Sequence, residues 1–139
     1  MKTKNTLILL AVTFAILTIG AFSWAAEGGV KVPLMATKQH PNASGIALIG
    51  SENISIHAKG LKPNGVYTVW FVNMKPKKHE AGAGKPPYMF KTDSYGNGTY
   101  SARLEESPFG KWKMLMIVLH PTGDPKDMKN MVGGLSAKL

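Results

Sequence analysis

Along the chain, apolar side chains gather in short runs broken by turn residues, and no window keeps a helical period. From Ile54 to Lys59 the alternation is strict, with Ile54, Ile56 and Ala58 on one side and Ser55, His57 and Lys59 on the other. A period of two belongs to a strand with one buried face. Ile46 to Ile49 is a shorter apolar run, closed by Gly50-Ser51-Glu52-Asn53. Gly60 to Gly65 reads as a turn, punctuated by Pro63 and Asn64-Gly65. Val66 to Val72 then carries apolar residues on both faces, the mark of a strand inside a sheet.

Tyr88 to Thr92 and Thr99 to Leu104 read as two strands of a hairpin, joined by Asp93-Ser94-Tyr95-Gly96-Asn97-Gly98, which is rich in residues that tolerate positive φ. Trp112 to His120 and Val132 to Leu139 supply the last two strands, and Asp124 to Met131 leaves room for about two helical turns at most. About seven strands at this spacing, without helical connectors, predict an all-β fold, an antiparallel β-sandwich over residues 43–139.

The N-terminus departs from this pattern. Lys2 and Lys4 precede an uncharged apolar stretch from Leu7 to Ile19, and Ser23-Trp24-Ala25 gives a small-x-small cleavage pattern. Residues 1–25 therefore read as a cleaved secretory signal, with an uncleaved anchor as the rival reading, and residues 26–42 as a flexible N-terminal segment. The expectation is an exported protein, periplasmic or extracellular.

Charge sharpens that picture. Cleavage would remove two of the 17 basic residues and none of the 8 acidic ones, leaving a net charge of +7 with His neutral. Such an excess favours anionic surfaces and envelope partners. Nucleic acid is not expected, because export separates the protein from it. Asn73 to Pro87 is a long connection carrying Lys75, Lys77, Lys78 and Lys85 against Glu80 alone. Long loops on a compact scaffold tend to carry function, so these four lysines are the candidate partner-binding residues. Exposed sheet edges also leave self-assembly open.

Tested for chemistry, the sequence offers no catalytic set. His79-Glu80 begins like a zinc-protease motif, but Ala83 stands where the second His belongs. Gly84-Lys85 ends like a phosphate loop, but Pro86 replaces the Ser or Thr that would bind magnesium. Glu105 and Glu106 would point to opposite faces of a strand. The Asp93 to Gly98 segment has one carboxylate, too few for a calcium loop and well suited to a turn. The chain has no cysteine, which removes thiolate chemistry and the blue-copper site. It thus reads as a non-enzyme, with no cofactor required.

The alternative is a periplasmic copper-binding protein with Met and His ligands. Met114, Met116 and His120 share one face of the Trp112 to His120 strand, and Met128 and Met131 follow closely in sequence. Thioether sulfur suits Cu(I). Met114 and His120 lie three same-face steps apart, too far to ligate one ion together. His40, His57 and His79 are each isolated in sequence and read as surface residues.

Gly60-Leu61-Lys62-Pro63-Asn64, Tyr67-Thr68-Val69-Trp70, Phe90-Lys91-Thr92-Asp93 and Met116 to Gly123 together resemble the extracytoplasmic domain of anti-sigma-K-type factors. More broadly they resemble exported bacterial immunoglobulin-like domains. The resemblance implies an immunoglobulin-like form of the β-sandwich and a bacterial source. It does not extend to sigma-factor regulation, because Met1 to Ala25 leaves no room for a sigma-binding domain, and His120 stands where that pattern shows Glu.

Overall fold

The computed structural model describes residues 29–139. The signal reading at residues 1–25 lies outside them. Nine strands and no helix are present among the described residues: β1 Val30–Ala36, β2 Ser44–Ile49, β3 Asn53–Lys59, β4 Val66–Asn73, β5 His79–Gly82, β6 Met89–Lys91, β7 Gly98–Arg103, β8 Met114–His120 and β9 Val132–Lys138. All pairings are antiparallel, in the order β5-β4-β8-β9-β1-β2-β3-β7, with β6 beside β5 on the same edge of β4. The protein is thus all-β, a single antiparallel sheet curled into a half-barrel.

Two strands lie where the sequence reading places none. β1 falls in the segment read as flexible. Val32 and Leu34 are buried there while Lys31, Pro33 and Met35 face outward. Pro33 masks this alternation, since proline cannot donate to a ladder and is confined to edges or half-paired strands. β1 meets that condition: Val30 to Leu34 pair with β2 alone, and only Met35 and Ala36 pair with β9. β5 falls in the long basic connection, where Asn73 pairs with His79 and Trp70 with Gly82. Its four residues carry no period of their own, so β4 templates them.

A third difference concerns the expected hairpin. β6 pairs with β4 and β7 with β3, so the segments before and after Asp93 to Gly98 do not form one. The tight turn itself is present. Asp93 Oδ1 accepts the amides of Tyr95 and Asn97 at 2.8 and 2.9 Å, and Gly96 takes φ +81°. What the turn joins is the two ends of the curled sheet, and the Phe90 ring lies so close to Gly98 that a Cβ there would sit 2.5 Å from it.

The core lies inside the curl. Tyr67, Val69 and Phe71 of β4, Leu115, Ile117 and Leu119 of β8, Leu135 of β9, and Ile54 and Ile56 of β3 are all buried in one cluster. β4 has partners on both edges and buries both faces, as its continuous apolar run predicts. Its outward residues Val66, Thr68 and Val72 are buried outside that cluster, together with Val118 and His120 of β8.

Where the curl nearly closes, the partner strand of β4 makes an excursion. The Ala83 amide donates to Val69 O and the Val69 amide donates to Tyr88 O, both at 3.0 Å, so β5 and β6 are one strand interrupted at Gly84 to Pro87. Tyr88 sits at φ +62°, a conformation an aromatic residue rarely adopts. Its ring packs on Gly82, where an added Cβ would lie 2.2 Å from the ring. Gly82→Ala is therefore expected to lower stability by about 1–3 kcal/mol, the range for overpacking, as read by urea denaturation.

Candidate functional site

The excursion at Gly84 to Pro87 leans over β7 and creates a cleft of about 780 Å³ on the outer face of the sheet. Two features hold it there. The Tyr100 hydroxyl donates to Ala83 O, and Gly84, at φ +109°, approaches β7 so closely that a Cβ would meet Ala102 Cβ at 2.4 Å. The floor is the outward face of β2, β3 and β7, where Leu48 pairs with Ser55 and Ser55 with Ser101. Asn53 and Arg103, also cross-strand partners, close one end. Lys85, Pro87, Tyr88 and Met89 form the overhanging wall.

The cleft thus gathers one guanidinium, one ammonium, an amide and the serine hydroxyls of Ser55 and Ser101, with Tyr88, Pro87 and Met89 in its wall. Arg103 is the only arginine in the chain. Among the described residues the one ion pair joins Lys111 and Glu106, so neither Arg103 nor Lys85 has a carboxylate partner there. No carboxylate, imidazole or thiol is among the described residues lining the cleft. Its polar groups can therefore bind and orient an oxyanion, with the guanidinium fork suited to bidentate contact.

The sequence reading finds Lys85 but not its setting. Lys75, Lys77 and Lys78 occupy the exposed tip between β4 and β5, whereas Lys85 stands past the far end of β5. The four do not form one patch. Arg103, Asn53, Ser55 and Ser101 are missed, because single polar residues at outward strand positions carry no motif. The unique arginine is the one signal available.

The methionine and histidine set is also divided. Met114 and Met116 are half-buried on the outer face of β8, as their spacing predicts. Met128 is exposed and Met131 half-buried, both in the connection from β8 to β9. His120 is 1% exposed and engaged at both ring nitrogens. Its Nδ1 lies 3.1 Å from Asp127 O and its Nε2 2.6 Å from Thr68 Oγ1, which in turn receives the Trp70 Nε1–H at 2.7 Å. A carbonyl only accepts, so Nδ1 holds the proton and Thr68 donates to Nε2; the donor chain runs from Trp70 through Thr68 to His120 and ends on the Asp127 carbonyl. No group of three or more His, Asp or Glu is placed to hold a metal among the described residues.

His57 and His79 are exposed, but His40 is not at the surface. It is buried, 3.0 Å from the Tyr67 hydroxyl, which also accepts the Lys62 amide at 2.9 Å. The long-range position of Tyr67 draws His40 inward, which its sequence neighbours do not reveal. His40 Nδ1 has no partner. With Tyr67 donating to Nε2, that N–H is the one unmet group; the other tautomer would leave two.

Comparison with protein-family models, curated proteins and solved structures finds no match for this chain.

Proposed function

We propose that the chain is an exported, non-catalytic binding module of the cell envelope, and that its Lys85–Arg103 cleft takes an amphiphilic oxyanion. The observation that carries this reading is the cleft itself: two cations without carboxylate partners, gathered with hydroxyl and amide groups and with Tyr88, Pro87 and Met89 in its wall. A phosphate or carboxylate would sit on Arg103 and Lys85, and an attached apolar portion would lie along Leu48, Pro87 and Met89. The signal pattern of the N-terminus and the net positive charge support the envelope setting.

On this reading the scaffold is sandwich-like and related in shape to immunoglobulin-type domains. β1 supports it, by dividing its pairing between β2 and β9 as a strand does when it passes from one sheet of a sandwich to the other.

The test is titration with short-chain phosphatidylglycerol, followed by NMR shifts, with inorganic phosphate and short-chain phosphatidylcholine as controls. Arg103→Gln is expected to weaken saturable binding about tenfold or more, the scale of a lost charged hydrogen bond. Replacing Lys75, Lys77 and Lys78 together by Ser is expected to leave it unchanged at physiological salt. Undiminished binding in Arg103→Gln, or loss confined to the triple variant, would refute the cleft as the site.

A further inference from the structure

We propose that the outer face of β1, β9 and β8 is a binding site for a soft monovalent cation, Cu(I), held by the thioethers of Met35, Met116 and Met114. The site is separate from the anion cleft and does not depend on that reading.

The strand registers define it. Met35 pairs with Ser136 across β1 and β9, Ser136 with Met116 across β9 and β8, and Met116 with Trp70 across β8 and β4. These residues form one row across four strands. All face outward, since Leu135 and Ala137, which flank Ser136, belong to the core. Neighbouring strands lie about 4.8 Å apart, so the Cα atoms of Met35 and Met116 are separated by about 9.6 Å, with only a serine between them. Two flexible four-atom side chains leaning over that serine span such a gap, whereas a large residue at position 136 would fill it. Met114 stands one same-face step along β8 from Met116, about 6.6 Å away, and brings a third sulfur to the same side. Trp70 closes the row as the cross-strand neighbour of Met116; its indole N–H is committed to Thr68 and its ring packs against Tyr88 at 5.3 Å, tilted by 60°.

The commonplace use of methionine is to fill gaps in a core. Met35 fills none, being 63% exposed, and Met114 and Met116 lie outside the core cluster. Three thioethers with an aromatic neighbour and no carboxylate in the row select a soft ion over Zn²⁺, Mg²⁺ or Ca²⁺. Lys138, the cross-strand partner of Met114, places a cation at the border. It is exposed, and its long stem lets the ammonium turn to water. His120 contributes nothing here, because both of its nitrogens are engaged. Met35 comes from the opposite end of the chain, and pairing through β9 is what brings it to β8.

The test is anaerobic titration of the purified full chain with Cu(I) buffered by a chromophoric chelator. The wild type is expected to withdraw one Cu(I) per chain, with quenching of Trp70 fluorescence. Met35→Leu and Met116→Leu, volume-conserving changes on a partly exposed face, are each expected to weaken binding about tenfold or more, the scale at which even outer-shell changes act on metal affinity. Met128→Leu is expected to change nothing, and Trp70→Phe to abolish the quenching. Copper remaining on the chelator overturns the proposal. So does unaltered affinity in Met35→Leu when its thermal midpoint matches the wild type, because the bound ion would then lie elsewhere.

Discussion

Thr68→Val, which keeps the volume of the side chain and removes only its hydroxyl, is expected to destabilise the protein by about 2–4 kcal/mol in urea denaturation. Thr68 is fully buried, and its oxygen stands between two donor–acceptor partners, Trp70 and His120. Valine would strand the indole N–H and the imidazole Nε2 together, and each unmet buried group costs about 1–3 kcal/mol. Thr68→Ser keeps the hydroxyl and is expected to lose less than half as much. The effect also has a local signature. His120 ties Asp127 to the sheet, so amide exchange across residues 121–131 should accelerate in Thr68→Val well before global unfolding. A loss under about 1 kcal/mol, with unchanged exchange in that segment, would show that the donor chain contributes little.

Tyr67→Phe is the second large effect, again about 2–4 kcal/mol. The ring stays in the core, stacked 5.5 Å from Phe90, while the Lys62 amide and His40 Nε2 lose their shared partner. His40 already has one unmet nitrogen, so the variant leaves the imidazole with no partner for either.

Alkaline titration isolates the hydroxyl. Burial pushes the Tyr67 hydroxyl above the ordinary tyrosine value of 10.0, with the Lys62 amide acting in the opposite direction. Tyr100 is raised in the same way, by burial first and then by Tyr88. As pH climbs past the ordinary value, the unfolded chain releases these protons while the folded chain keeps them, so the folded state binds more protons and its stability falls. The contribution is complete below the ordinary value and is lost as pH rises through the elevated folded one. Tyr67→Phe lacks this term. The stability gap between wild type and Tyr67→Phe is therefore expected to narrow from about pH 10 upward. A gap that stays constant or widens over that range would contradict the assignment.

Both residues lie on β4, which shows how far the sequence reading reaches. Its apolar run identifies an interior strand, and Ile54 to Lys59 identifies a half-buried one, because side-chain alternation is a property of local order. Neither pattern reveals that Thr68, on the outward face, is fully buried and bonded to both Trp70 and His120. Pro33 hides β1 for a related reason. A missing amide argues against a strand wherever both edges are paired, and only the tertiary arrangement leaves that residue an unpaired edge. The hairpin expected around Asp93 to Gly98 has the right turn, but its flanking strands take other partners, β6 pairing with β4 and β7 with β3.

The candidate sites divide along the same line. Met114, Met116 and His120 share a face by spacing alone, and the structure keeps that face while burying His120 in a donor chain. Lys85 is legible as part of a basic stretch, yet its partners in the cleft come from β3 and β7. Composition, turn chemistry and period two were enough to specify an all-β chain with an apolar inner face, since these depend on each residue and its near neighbours. Which outward residues meet was decided by strand order and by the curl of the sheet. Met35 and Met116 on either side of Ser136, and Lys85 and Arg103 lining one cleft, are long-range placements selected by how the whole sheet buries its core.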